Sequence, residues 1–153
     1  MVSLKCLIVD DVDPVLFEWL NKSSISYDYK PEWSAEACIK ELPSYDGIII
    51  RSKFIVDKAI IDTCPRLKFI GRAGAGLDNL DTEYLEQKNI AVFHASEGNK
   101  VAVAEQTVGF ILALLNNTVR ANTEVKNGIW KREENRGYEL ANLTVGLIGY
   151  GNM

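Results

Sequence analysis

Apolar residues in the first 97 positions occur in short runs, and each run stops at a polar residue or a glycine. Nearly continuous apolar runs of this length are typical of strands that are buried on both faces of a parallel sheet. A weaker run of the same kind predicts a fifth strand. The four strong runs cover residues 4–9, 48–50, 67–70 and 90–93, and the weaker one covers residues 25–29.

Segments with helical character separate these runs. They cover residues 14–20, 34–42, 57–64 and 82–88. Asp13 precedes the first of them and is the expected N-cap. Alternation of strand and helix implies right-handed crossovers, so the pattern predicts the α/β class with a doubly wound parallel sheet.

The pattern changes after this region. Residues 99–115 are apolar on almost all sides, which predicts a long helix buried against more than one neighbour. A second helix is expected over residues 121–127, and residues 144–148 form another apolar run that predicts a strand. A strand with neither a partner nor a following helix leaves backbone groups unsatisfied. We therefore expect the sequence to stop inside a second domain.

Composition narrows the classes of function. The 153 residues include 17 Lys and Arg against 21 Asp and Glu, a net charge of −4, and no basic run is long enough to follow a phosphate backbone. Nucleic acid is therefore not an expected partner. The sequence has neither a signal-peptide pattern nor a membrane-spanning apolar stretch. Three widely spaced cysteines without a C-x-x-C pair favour reduced thiols, so we expect a cytoplasmic protein.

Gly149 and Gly151 follow the predicted last strand and occupy the first two glycine positions of a G-x-G-x-x-G motif. In the complete motif these glycines allow a tight turn and a close approach of backbone to a pyrophosphate. The placement after a strand favours dinucleotide binding over a purely structural turn. The acidic residue that contacts the ribose would follow about 20 positions later, so the motif does not distinguish NAD from NADP.

A second glycine-rich segment, residues 72–76, follows a predicted parallel strand, where open α/β sheets bind ligands. Its backbone N–H groups are suited to an anion, and Arg72 offers a charge-assisted hydrogen bond. A glycine-rich turn with a solvated arginine is an equally good interpretation of the spacing. Arg51, Ser52 and Lys53 follow the preceding strand, and two cations beside a second cationic loop favour a small anionic substrate.

Two further polar positions have structural interpretations. His94 is the only histidine, and no carboxylate lies at a spacing that would orient its ring for catalysis, so we interpret it as structural. Asp10 and Asp11 end the first strand, and an acidic pair at this position is one pattern of a magnesium site. The third strand ends at Arg51 and not at an acidic residue, so we expect solvated caps.

Together these residues resemble the D-isomer-specific 2-hydroxyacid dehydrogenases. The resemblance extends from about residue 46 onward, whereas the first 45 residues match only in pattern. The matching stretches are residues 51–53 (RSK), 67–81 (LKFIGRAGAGLDNLD), 97–99, 103–105, 126–130 (KNGIW) and 144–153. The sequence departs from the family at His94, where asparagine is frequent, and at Asn152, which replaces a frequent arginine.

The resemblance implies a flavodoxin-like substrate-binding domain over residues 1–97. Residues 98–153 would then provide a hinge and dimerisation helix and the incomplete start of a Rossmann-type NAD-binding domain. The implied substrate-binding residues are Arg51, Ser52, Arg72, Gly74, Ala75 and Gly76. The implied cofactor-binding residues are Ala75, Val103, Gly149, Gly151, Asn152 and Met153.

The activity that the resemblance implies is hydride transfer between a D-2-hydroxy acid and NAD. The expected substrate is 3-phosphoglycerate, a metabolite of serine biosynthesis, and the expected assembly is a homodimer formed through the helix over residues 99–115. The family's catalytic arginine, glutamate and histidine come later than residue 153, so the chain alone is expected to be inactive. Two alternatives remain open: a flavodoxin-like phospho-receiver and a dimerising interaction module.

Overall fold

The computed structural model describes residues 4–152, which form two compact units. The first unit extends to Gly98 and the second begins at Asn99. Met153, which is expected to bind the cofactor, lies outside the described residues. Among the residues that are described, no helix has both the length and the apolar character needed to cross a bilayer.

The first unit is built on a five-stranded parallel sheet in the order β2-β1-β3-β4-β5. The strands are β1 (Leu4–Ile8), β2 (Ile25–Tyr29), β3 (Gly47–Ile50), β4 (Phe69–Arg72) and β5 (Ala91–His94). This order is the flavodoxin-like form of the doubly wound sheet, which confirms the predicted fold class. The fourth strand begins two residues later than the predicted apolar run. The reason is that Leu67 lies buried in the preceding turn, where its N–H donates to the Cys64 carbonyl oxygen.

Four short helices connect the strands of the first unit: α1 (Val15–Leu20), α2 (Ala35–Glu41), α3 (Lys58–Thr63) and α4 (Thr82–Gln87). The side chains of Ser34, Asp57 and Asp81 accept N–H groups at the starts of α2, α3 and α4. Asp13 is not itself the N-cap of α1, because Pro14 occupies that position. Its carboxylate nevertheless accepts the N–H of Val15 at 2.9 Å.

The strands β1 and β3 are buried on both faces, as their apolar runs predict, whereas β5 is largely exposed, with Phe93 at 63%. Successive side chains of a strand point to opposite faces, so each central strand contributes to two clusters. The larger cluster includes Leu7, Ile48, Ile50 and Ile70, and the smaller one includes Cys6, Ile8 and Ile49. All three cysteines are buried and free, and burial raises the pKa of the Cys6 thiol to about 12. No cluster of metal-ligating side chains occurs in residues 4–152.

Asp46 anchors the sheet just before β3. Its buried carboxylate accepts the N–H of Lys5 at 3.0 Å and pairs with Lys68 Nζ at 3.0 Å and Arg66 Nη2 at 3.1 Å. The backbone N–H of Lys5 and the Lys68 ammonium hold the pKa of this carboxyl below its usual value. Asp28 has a lowered pKa for a similar reason, since it accepts hydrogen bonds from the Lys5 ammonium and the Tyr45 hydroxyl.

The second unit contains α5 (Lys100–Leu115) and α6 (Thr118–Lys126), with the left-handed residue Asn117 between them. The predicted burial of α5 is wrong for this chain, because Val101, Phe110 and Leu114 are more than 60% exposed. The predicted strand over residues 144–148 is also wrong. No neighbouring strand in the described part of this unit offers backbone partners, and an unpaired segment does not form a strand.

Candidate functional site

The backbone amides of the turn after β3 bind a carboxylate that follows β1. Asp10 Oδ2 accepts the backbone N–H groups of Arg51, Ser52 and Lys53 at 2.7, 3.1 and 3.2 Å. The contact arises because β1 and β3 are neighbours in register, so their carboxyl ends meet at one edge of the sheet. Asp10 is therefore not the solvated cap that we expected, and the amides of this turn already hold an anion.

The cations of this turn have different roles. The Lys53 ammonium donates to the carbonyl oxygens of Pro31 at 2.7 Å and Trp33 at 3.0 Å, so it fastens the loop after β2. Arg51 and Ser52 have exposed side chains. The expected pair of cations at this strand end is therefore reduced to Arg51.

Asn79 joins the turn after β3 to the loop after β4. Its side-chain amide donates to the carbonyl oxygens of Arg51 and Phe54, both at 3.3 Å, and its backbone carbonyl accepts the N–H of Val56 at 2.8 Å. The register that pairs Ile50 with Arg72 brings the same two strand ends together. The arginine and glycine segments therefore lie side by side at the carboxyl edge of the sheet.

The half-buried Arg72 folds back over the glycine loop. A Cβ at position 74 would overlap the Arg72 guanidinium, so a side chain there would require Arg72 to move. Arg72 Nε is buried and has no hydrogen-bond acceptor among residues 4–152. Arginine recognises carboxylates through several N–H donors at once, so an unsatisfied donor beside a glycine loop is suited to a small acid.

The end of β5 borders the same loop on its other side. His94 Nδ1 lies 2.9 Å from the carbonyl oxygen of Ala75, and the N–H of Ala95 donates to the carbonyl oxygen of Gly74 at 3.0 Å. Arg72 and His94 also line a cleft of about 330 Å³ whose remaining walls are largely apolar. The loop of residues 74–76 thus lies between the ends of β4 and β5, which contribute the side chains of Arg72 and His94.

The residues expected to bind a dinucleotide fall into both units. Val103, Gly149, Gly151 and Asn152 line one cleft of about 390 Å³ in the second unit, whereas Ala75 belongs to the first. Gly149 has a φ of +86°, which favours glycine, and a side chain at position 149 or 151 would meet nothing within 4 Å. Open glycines beside an apolar cleft fit the approach of a dinucleotide to the backbone.

Sequence reasoning missed the roles of Asp10 and Asn79. The signal for Asp10 was its position directly after β1, which places it next to the end of β3 once the strand order is known. Asn79 has no comparable signal, because its contacts depend on the path of an irregular loop. Both residues act on the Arg51 backbone from different segments of the chain.

Comparison with known proteins gives a consistent result. The sequence matches the family model described as D-isomer specific 2-hydroxyacid dehydrogenase, catalytic domain, over residues 6–144. D-3-phosphoglycerate dehydrogenase from Archaeoglobus fulgidus is 34% identical over 150 residues, which cover 98% of this chain and 28% of that protein. The chain therefore spans little more than a quarter of the length of this relative.

Solved structures show the same similarity. D-lactate dehydrogenase from Aquifex aeolicus, complexed with NAD and lactic acid, has a TM-score of 0.80 and 26% identity over 97% of this chain and 45% of that one. The NAD⁺-bound 3-phosphoglycerate dehydrogenase from Entamoeba histolytica has a TM-score of 0.61 and 28% identity over 75% of this chain and 40% of its own.

Proposed function

The chain belongs to the family of D-isomer specific 2-hydroxyacid dehydrogenases, and from this premise we propose that it forms the substrate-binding part of an enzyme that oxidises a D-2-hydroxy acid with NAD. The substrate that we propose is 3-phosphoglycerate. The name of the Archaeoglobus relative supports this choice. A substrate with both a carboxylate and a phosphate also suits two neighbouring arginines.

The observation on which the proposal depends is the unsatisfied donor of Arg72 beside the glycine loop. The substrate carboxylate would accept from Arg72 and from the backbone N–H groups of Ala75 and Gly76, because the Gly74 N–H already donates to the Arg72 carbonyl oxygen. The exposed Arg51 and Ser52 would meet the phosphate from the adjoining turn. Because Asp10 occupies the amides of that turn, the second anion would be bound there by side chains.

Val103, Gly149, Gly151 and Asn152 are the residues that we propose to hold NAD, because they line one cleft with open glycine positions. The nicotinamide, when bound, accepts hydride from the carbinol carbon. The role of this chain would be to hold and orient the acid. We expect binding without turnover from the chain alone.

Binding of 3-phosphoglycerate, measured by titration calorimetry or NMR, tests the proposal. Arg72→Gln and Arg51→Gln should each weaken binding about 10-fold or more, because a charge-assisted hydrogen bond contributes about 1.5–3 kcal/mol. Arg66→Gln is the matched control, since Arg66 precedes β4 at the opposite edge of the sheet and pairs with Asp46. Equal weakening by all three variants, or no saturable binding by the unmodified chain, would refute the proposal.

A dimer is a second proposal, favoured by the apolar surface of α5. Phe110 and Leu114 are 61% and 79% exposed, and a large exposed apolar face is typical of an interface. We propose that a second copy of the chain covers it. Sedimentation should show a concentration-dependent mass that Leu114→Glu abolishes, whereas a strict monomer would exclude this dimer.

A phospho-receiver role does not suit this chain, because the Asp10 carboxylate is engaged by three backbone amides and the chain belongs to a dehydrogenase family. We propose a cytoplasmic location because the three cysteines are unpaired and buried in the folded unit.

A further inference from the structure

The only histidine of the sequence contacts the loop that is proposed to bind the substrate. His94 is exposed, so its position does not result from packing in the core. Its Nδ1 atom lies 2.9 Å from the Ala75 carbonyl oxygen, and the next residue, Ala95, donates its N–H to the Gly74 carbonyl oxygen. Two consecutive carbonyl groups of the loop are therefore held by the end of β5.

The direction of these carbonyl groups determines the direction of the neighbouring amides. In a trans peptide the C=O and the N–H point to opposite sides, and the described chain has no cis peptide bond. The Gly74 carbonyl opposes the Ala75 N–H, and the Ala75 carbonyl opposes the Gly76 N–H. Because both carbonyls are turned toward β5, both N–H groups are directed away from it.

These two amides are available for a ligand. Neither the Ala75 N–H nor the Gly76 N–H donates to an acceptor within residues 4–152. They belong to the loop that begins at Arg72, whose Nε atom is also without an acceptor. Adjacent unsatisfied N–H groups form a concavity that binds anions, so the orientation of the Ala75–Gly76 peptide matters for the proposed site.

The contact also determines which nitrogen of the imidazole is protonated. A carbonyl oxygen only accepts hydrogen bonds, so the hydrogen between the two groups must be on Nδ1. Neutral His94 is then the Nδ1–H tautomer. Asparagine, which the family frequently has at this position, carries an amide that is also able to donate to a carbonyl.

We infer that His94 is a positioning residue, whose Nδ1–H fixes the Ala75 carbonyl and thereby aims the Gly76 N–H at the substrate anion. This inference rests on the proposed function, because the anion is the acid proposed above. His94 touches no reacting atom in this role. It acts through the backbone of the loop.

Two variants distinguish the effect of the hydrogen-bond donor at position 94 from the effect of the imidazole ring. His94→Asn retains a donor, whereas His94→Ala removes it. In titrations with 3-phosphoglycerate we expect His94→Ala to raise the Kd about 5- to 10-fold, and His94→Asn to stay within about twofold of the unmodified chain. The urea midpoints of both variants should remain close to that of the unmodified chain, because the side chain is exposed. Unchanged affinity in His94→Ala, or an equal loss in both variants, would overturn the inference.

Measurements without a ligand distinguish failure of the inference from failure of the proposed function. Because the chain has one histidine, a ¹⁵N NMR spectrum reports its tautomer directly. We expect Nδ1–H, and a predominant Nε2–H tautomer would overturn the inference whatever the chain binds. We also expect the amide resonances of Ala75 and Gly76 to move in His94→Ala. If these results are obtained but the unmodified chain does not bind 3-phosphoglycerate, the proposed substrate is wrong. The hydrogen bond from His94 to the Ala75 carbonyl oxygen would still be correct.

Discussion

Replacing Asp10 by alanine should destabilise the first unit more than replacing an exposed residue next to Asp10 does. The substitution removes an oxygen that accepts three backbone N–H groups at 2.7, 3.1 and 3.2 Å. A hydrogen bond to a charged group contributes about 1.5–3 kcal/mol. The three bonds share one oxygen, and Arg51 and Ser52 are exposed, so water replaces part of the loss and the contributions do not add.

We therefore expect Asp10→Ala to lower the free energy of unfolding by about 2–3 kcal/mol. Asp10→Asn retains an acceptor oxygen without the charge and should cost about 1 kcal/mol. With a urea m-value of about 1–3 kcal/mol/M, the midpoint for Asp10→Ala should fall by about 0.7–3 M.

The assay is urea unfolding followed by tryptophan fluorescence in a Trp130→Phe background. The remaining tryptophans, Trp19 and Trp33, both lie in the first unit, so the signal reports on that unit alone. Asp11→Ala is the matched control, because Asp11 accepts a single hydrogen bond, from the Tyr29 hydroxyl at 2.8 Å. If Asp10→Ala and Asp11→Ala have the same midpoint, the three amides do not depend on the carboxylate and the reasoning is refuted.

Two further outcomes follow from the fold. The pKa values of Asp28 and Asp46 are lowered in the folded protein, so their stabilising contribution is present above the unfolded value of about 3.9 and is lost as the pH falls through the folded values. The urea midpoint should therefore be constant between about pH 5 and 7 and fall below about pH 4, and a constant midpoint down to pH 3 would contradict this assignment. Gly47→Ala should also lower the midpoint, because its Cβ would overlap the Phe69 ring; Phe69→Leu in the same chain should restore part of the loss, and an unchanged midpoint in Gly47→Ala alone would show that the ring moves freely.

The sheet was predictable because its signal is local. Apolar runs such as the one that became β3 are interrupted at the positions where the strands end. The N-cap expected at Asp13 was one residue too early, because Pro14 occupies that position. The expected strand at residues 144–148 was not formed, because a strand depends on a partner and not on its own residues. The expected burial of α5 failed for a related reason, since burial requires a covering surface.

The proximity of the arginine and glycine segments was predictable, but the contacts of their individual side chains were not. The arginine and glycine segments follow neighbouring strands, so their proximity results from the topology. The contact between Asp10 and Arg51 joins residues 41 positions apart and depends on the strand order, which the sequence pattern alone leaves open. The loss of Lys53 as a free cation has the same origin, because its acceptors are backbone carbonyls of a distant loop.

The two-sided attachment of Arg51 has a consequence for the energetics of recognition. Its N–H is held by Asp10 and its carbonyl by Asn79, so the backbone of this turn is ordered before any acid arrives. A preorganised turn loses little conformational entropy when a ligand binds, and more of the interaction energy then appears as affinity. The rotamers of the exposed arginine side chain would then account for most of the entropy that the turn loses on binding.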